Sequence, residues 1–453
     1  MSAEPRTIAE LGRALRARQV TAEAVTERCL QQLADRNPSI NAFITVLADQ
    51  ALAQAREADR ELAAGHDRGA LHGVPISLKD ILDLAGTPTT AASRVREGHV
   101  ASSDAEVVRR LREAGAVFVG KTNLHEFALG TTNEDSAYGP VRHPLDPNRS
   151  PGGSSGGSAA SVLAGMAFAS IGTDTGGSIR IPSAACGLVG LKPAIGDVPT
   201  GGVVPLSATM DHVGPLCRSV EDAAIVYDVI KGGRDGLPPQ GSPDPRGIRV
   251  GVLGGYFAAL LDSQVRSSFE AACGRLRDAG VGLEDVEIAH AHDVSAIYVH
   301  IVLAEAAAYH AKTLESRAQD YTTNVRLRLE MGRYILAEDY VRALRGRELL
   351  CGEVDALLGG RDALLLPALA VPATRLGAAT VLVGGVEEQV RNITLRLTQL
   401  FNVTGHPAIS IPCGQTVEGL PIGAQLVGTH SASLLRTART LEPYFGPGTW
   451  VSG

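Results

Sequence analysis

The stretch "SPGGSSGGSAASVLAG" (150–165) opens with the composition of a flexible tether, because glycine and serine fill its first half. Its second half is a run of small apolar residues. A second glycine–serine cluster, "GTDTGGSIR" (172–180), follows almost at once. Linkers seldom sit beside buried elements. The two clusters therefore read as loops at the rim of a core, with a small-residue helix over 157–169 between them.

The flanking segments outline that core. Upstream, "GVPISLKDIL" is a short apolar strand with a glycine–proline entrance. "DAEVVRRLREAG" reads as a capped helix ending at Gly115, and "AVFVG" as a buried strand. Downstream come the helix "SVEDAAIVYDVIKG", the strand "IRVGVL", a helix near 266–279 and the strand "GLEDVEI". A long helical region at roughly 295–355 follows, then the strands "ALLLP", "AISIPC" and "PIGAQLVG".

Nearer the start, Thr7 and Glu10 form a capping box. Thr21 opens a second helix that should stop before Pro38, and an alanine-rich third helix meets Gly65. The pattern predicts an α/β fold: a single large α/β/α domain over 1–453, with a mixed twisted central sheet covered by helices. Within it, 1–65 forms an all-helical N-terminal layer, 70–230 the core, and 248–453 a variable helical region with returning strands. "GGRDGLPPQGSPDPRG" (232–247) reads as a long surface loop between two halves.

Composition narrows the function classes. With 453 residues, 44% hydrophobic and 20% charged, the chain supports a large core and is not globally disordered. A net charge of −7 and the lack of a basic run argue against nucleic-acid binding. Six scattered cysteines without a C-x-x-C pair point to reduced thiols and a cytoplasmic setting. Neither a signal peptide nor an apolar run near ~18 residues is evident, so no membrane span is expected.

Several chemistries compete for the two loops. A P-loop would need a lysine after the glycines, and none follows. Gly152–Gly156 satisfies the G-x-S-x-G of a nucleophile elbow, with His406 or His430 as candidate base. "HAHD" (290–293) offers an H-x-H pair, but late in the chain and without a metal site's further ligands. No metal and no cofactor is expected. Lys79 is the remaining oddity, since lysine is rarely buried without reason. It either reaches solvent, pairs with Asp80 or Asp83, or serves the serine loops.

Taken together, "LHGVPISLKD", "GAVFVGKTNLHEFALGTTNEDSAYGP", "NRSPGGSSGGSAASVLAG" and "GTDTGGSIRIPSAACGLVGLKP" resemble the amidase signature family. The similarity runs from about Gly73 to Asp228 and returns at 407–428; 255–360 resembles the family only weakly. The resemblance implies Ser178 as the acylated nucleophile, Ser154 as a bridging serine after a cis Gly153–Ser154 bond, and Lys79 as general base. It also implies an oxyanion hole from the backbone of Thr175, Gly176, Gly177 and Ser178. Asp174 would brace that turn, and Arg180 would pair with a nearby acid. Gly130, Thr131 and Cys186 resemble positions flanking the family's pocket.

Burial lowers a lysine pKa, so an uncharged Lys79 could relay protons through Ser154 without histidine. The expected partner is a small-molecule amide or carbamate, acted on by a monomer or homodimer, with anilides and esters as further substrates. The alternatives are the glutaminase component of a tRNA-dependent amidotransferase, and a biuret- or allophanate-type hydrolase. The amidotransferase component usually carries an arginine/tyrosine/glycine segment where this chain reads "SRAQDYTTNVRLRLEMGRY" (316–334).

Overall fold

The computed structural model describes residues 4–233 and 244–446. Most of the proposed 232–247 surface loop therefore lies outside the described residues. The strands, in chain order, are β1 Phe43–Val46, β2 Pro75–Lys79, β3 Val117–Thr122, β4 Ala169–Asp174, β5 Val189–Lys192, β6 His212–Cys217 and β7 Arg249–Leu253. They continue with β8 Gly282–Val286, β9 Ala363–Pro367, β10 Thr380–Val383, β11 Val386–Gln389, β12 Ala408–Gln415 and β13 Pro421–Val427. Strands β10 and β11 form a separate hairpin. The other 11 make one sheet in the order β1-β3-β2-β4-β6-β5-β12-β13-β9-β7-β8.

That sheet is mixed. β2 lies parallel to both β3 and β4, and β7 parallel to both β8 and β9, while β4/β6, β5/β12 and β12/β13 are antiparallel. Strands β2, β3 and β4 are buried at every position, as expected for strands covered on both faces. The β2/β4 register (Ile76 to Ala169, Leu78 to Ile171) sets the carboxyl ends of these strands side by side. Lys79 and Asp174 end those strands.

Several local expectations change. The N-terminal layer is not all helical, because β1 leaves it to pair antiparallel with β3. The capping box at Thr7 and Glu10 is present, and Thr21 caps the helix Ala22–Ile40. That helix runs through Pro38, whose ring removes only one backbone donor in the last turn. It ends at Asn41, in the left-handed conformation at φ 60°. The helix expected over 157–169 spans Gly156–Leu163, and β4 begins at Ala169. Asp104 does not cap the helix Glu106–Glu113; its carboxylate turns to Arg112 at 2.8 Å.

The long helical region resolves into Val294–Arg317, Thr323–Gly332 and Ala337–Leu358. One helical segment, Ala291–Asp320, is long and apolar enough to cross a membrane by length and composition, with an 18-residue window of mean hydropathy 1.3, a run the sequence reading passed over. In the fold it is a packed helix, burying Tyr298, Ile301, Val302, Ala306 and Leu314.

Candidate active site

Lys79 is fully buried at the end of β2. Neither simpler fate applies to it. It does not reach solvent, and it makes no ion pair among the described residues. The neighbouring Asp80 is claimed by Lys121 at 2.9 Å, on the opposite side of the strand. The Lys79 amine nitrogen instead lies 2.8 Å from Ser154 Oγ and 2.8 Å from Thr173 Oγ1. Burial lowers its pKa to about 7, against the opposing pull of Asp174 and Asp211. Two buried lysines on adjacent strands thus have different partners: Lys121 faces a carboxylate and Lys79 only hydroxyls.

Ser154 is fully buried and follows a cis peptide bond from Gly153. Glycine is required at 153 by close approach, since a Cβ there would lie 2.8 Å from the Asn133 nitrogen and 3.0 Å from the Thr131 carbonyl carbon. Asn133 holds the loop from the other side, its Oδ1 accepting from the N–H of Gly156 at 2.9 Å and of Gly157 at 3.3 Å. The glycines of 150–165 thus serve packing rather than flexibility.

Ser178 lies four residues beyond the end of β4 and keeps 6% exposure, while Lys79 and Ser154 have none. The two serine loops meet where the Ser155 N–H donates to the Ser178 carbonyl at 3.3 Å. No hydrogen bond joins the Ser178 hydroxyl to Ser154 in this state.

The turn at 175–178 has a consistent polarity. Three of its carbonyls are occupied: Gly176 accepts from the Thr398 hydroxyl at 2.6 Å, Gly177 from the Ile181 N–H at 2.7 Å, and Ser178 from the Ser155 N–H. Its donors are not. Among the described residues, the backbone N–H groups of Thr175, Gly176, Gly177 and Ser178 have no protein acceptor, whereas those of Ile179 and Arg180 donate to Asp174 Oδ2 at 3.1 and 3.4 Å. Gly177 sits at φ +142°, and a Cβ there would lie 2.3 Å from Thr398 Oγ1.

Asp174 is fully buried and ion-paired with Arg180 at 2.9 Å. Burial raises its pKa, but Arg180, Lys192 and the Asn402 amide outweigh that and hold the carboxyl well below its usual range. Arg180, also sealed from solvent, donates to the Thr398 carbonyl at 2.9 Å, Gln425 Oε1 at 2.6 Å and Asn402 Oδ1 at 2.5 Å. The expected acid for Arg180 is therefore Asp174 itself.

The three pocket positions divide. Thr131 accepts a hydrogen bond from Thr394 at 3.0 Å and lies against Gly153. Gly130 lies under the His125 ring, leaving no room for a Cβ. Cys186 is placed differently: it is fully buried in an apolar cluster with Ala159, Val162, Leu163, Ile179, Leu188 and Leu216. Burial raises its thiol pKa, and its sulfur reaches only the Pro151 carbonyl, at 3.6 Å. It is a core residue and not a pocket wall.

The histidine alternatives make no hydrogen bond to Ser154 or Ser178 among the described residues. His406 bonds Asp355 at 3.0 Å, and His430 precedes the last helix, Ser431–Phe445. His290 bonds Glu353, while His292 meets the Tyr256 ring edge to face. A cavity of about 1030 Å³ among the N-terminal helices, lined by Arg13, Arg28, Arg36 and Arg218, shares no residue with the site.

Sequence reasoning missed Thr173, although it stands inside the quoted "GTDTGGSIR". It also missed Asn133, Asp211, Thr398 and Asn402. Tyr298 went unnoticed too: its hydroxyl oxygen would lie 2.4 Å from a Cβ on Gly176.

Fold and site together define an α/β enzyme whose polar centre lies at the carboxyl ends of parallel strands. The chain belongs to the amidase signature family: the amidase family model matches residues 24–432. It is thus a hydrolase acting on carbon–nitrogen bonds. It is 42% identical to an amidase of Pseudomonas putida, covering 91% of this chain and 90% of the relative. It is 38% identical to a component of the glutamyl-tRNA(Gln) amidotransferase of Koribacter versatilis, covering 95% and 96%. A solved amidase structure superposes with a TM-score of 0.92 at 36% identity, covering 97% of this chain and 100% of that one.

Proposed function

We propose that the chain hydrolyses small-molecule amides through an acyl-enzyme on Ser178, with Lys79 as base and Ser154 as relay. The observation that carries this reading is the 2.8 Å approach of a buried, carboxylate-free lysine amine to the Ser154 hydroxyl. A neutral amine has one lone pair and N–H groups to spare. With one N–H given to Thr173, the lone pair is left for the Ser154 proton.

In the reaction, Ser154 passes its proton to Lys79 and takes the proton of Ser178 as the latter's Oγ bonds to the substrate carbonyl carbon. The carbonyl π pair moves onto oxygen, and the free N–H groups of the 175–178 turn receive that oxyanion. Collapse re-forms the carbonyl and breaks the C–N bond. The departing amine takes the proton returned from Lys79 through Ser154. Water then repeats the path in place of Ser178 and releases the carboxylic acid. Carbamates, anilides and esters offer the same acyl carbon.

A stand-alone amidase is favoured over an amidotransferase component by "SRAQDYTTNVRLRLEMGRY", where that component's usual arginine/tyrosine/glycine segment is lacking. A cytoplasmic setting is in keeping with six cysteines that carry no disulfide. The test is a panel of amides, anilides, carbamates and esters, with acylation of Ser178 read by intact mass. Labelling of Ser178 by simple amides is expected. Turnover of glutamine alone, appearing only with partner proteins, would establish the amidotransferase reading instead.

A further inference from the structure

The turn at 175–178 is braced from both ends. Asp174 holds the far end through Ile179 and Arg180. The near end is held through a side chain: the Thr175 hydroxyl donates to Asp211 Oδ1 at 2.5 Å. Threonine has few χ1 choices, so fixing its hydroxyl fixes the backbone that carries it.

Asp211 is itself fixed. Its other oxygen accepts from the N–H of Leu206 at 2.8 Å and of Ser207 at 3.1 Å. That loop is anchored in turn to the helix Val294–Arg317. Glu305 accepts from the Ser207 hydroxyl at 2.5 Å, the Thr209 hydroxyl at 2.8 Å and the Thr209 N–H at 3.1 Å. Tyr340 and Arg347, on the helix Ala337–Leu358, complete the anchor through Glu305 at 2.9 Å and the Thr209 carbonyl at 3.0 Å.

We propose that Asp211 is a positioning residue that aims the oxyanion donors of 175–178 by holding the Thr175 hydroxyl. This rests on the acyl-enzyme reading above and extends it. The alignment of the turn is set by a loop, 205–211, that has no part in the bond-making steps. Such alignment acts on the transition state, where negative charge develops, and hardly on ground-state binding.

The test uses the full chain as wild type, Thr175→Ser, Thr175→Val, Asp211→Asn and the Thr175→Val/Asp211→Asn double variant. For each, kcat, KM and the affinity of an alkylboronic acid, which forms an anionic tetrahedral adduct on serine, are measured. Thr175→Val is expected to lower kcat about 10- to 100-fold and to weaken the boronate in parallel, with KM within about twofold. Thr175→Ser, which keeps the hydroxyl, is expected within about threefold of wild type. The double variant should be no slower than the slower single one, because both remove the same link.

A Thr175→Val enzyme with wild-type kcat, a loss confined to KM, or additive losses in the double variant would each overturn the positioning role. If Ser178 still carries the acyl label in that case, the hydrolytic reading stands without it. Absence of the label from the wild-type enzyme would overturn both.

Discussion

In the interior around 150–192, lysine, arginine, aspartate and serine are sealed from solvent. On the helices Thr323–Gly332 and Ala337–Leu358 and the link between them the reverse holds, and Leu327, Met331, Tyr334, Leu336 and Val341 are exposed. The inversion shows where constraint resides. Buried polar groups persist only when partnered, so each change in the interior strands its neighbours. The exposed apolar side chains of the outer helices have no such partners to strand, unlike Tyr340 and Arg347 on the same segment, which bond Glu305 and the Thr209 carbonyl. The first region holds the residues proposed for the chemistry.

The contrast can be broken or sharpened by measurement. Ser178→Ala should cost the most, at least about 10⁴-fold in kcat with no acyl adduct by mass. Residual turnover at wild-type rate would move the nucleophile elsewhere. Lys79→Ala should cost about 10³-fold or more and Ser154→Ala about 10²-fold, read as kcat on one amide. Arg180→Ala leaves Asp174 an unpaired buried charge and should destabilise the fold by about 3–5 kcal/mol in urea unfolding.

The pH profile gives a smaller effect. A base at Lys79, as proposed, requires the neutral amine, and its pKa is lowered to about 7. Thus kcat/KM should fall about tenfold per unit below pH 7 and level off above it. An alkaline midpoint near that of a free lysine would mean that the amine is not desolvated. Smallest of all is Tyr334→Ala, at a residue 85% exposed, which should stay within about 0.5 kcal/mol of wild type in stability and leave kcat unchanged. A large loss there would erase the contrast.

Legibility in the sequence followed the same line. Local signals carried far: the capping box at Thr7, the strands around Lys79 and at 407–428, and the two serine loops were readable from motif and periodicity. What escaped was set by distant partners. Asn402 and Gln425 give no local hint that they receive Arg180, and Asp211 in "PLSATMDHVGP" does not announce a bond to Thr175. β1 was hidden for the same reason, since four residues become a strand only when β3 offers an edge. Cys186 misled because a position beside a motif in sequence lies behind it in space.

The reach of Arg180 has a consequence for how the enzyme comes into being. Its acceptors stand at 174, 398, 402 and 425, so the bracing of the turn is finished only when the last strands have joined the sheet. A chain in which residues 398–425 had not yet docked would carry Lys79, Ser154 and Ser178 without three of the four residues that fix Arg180.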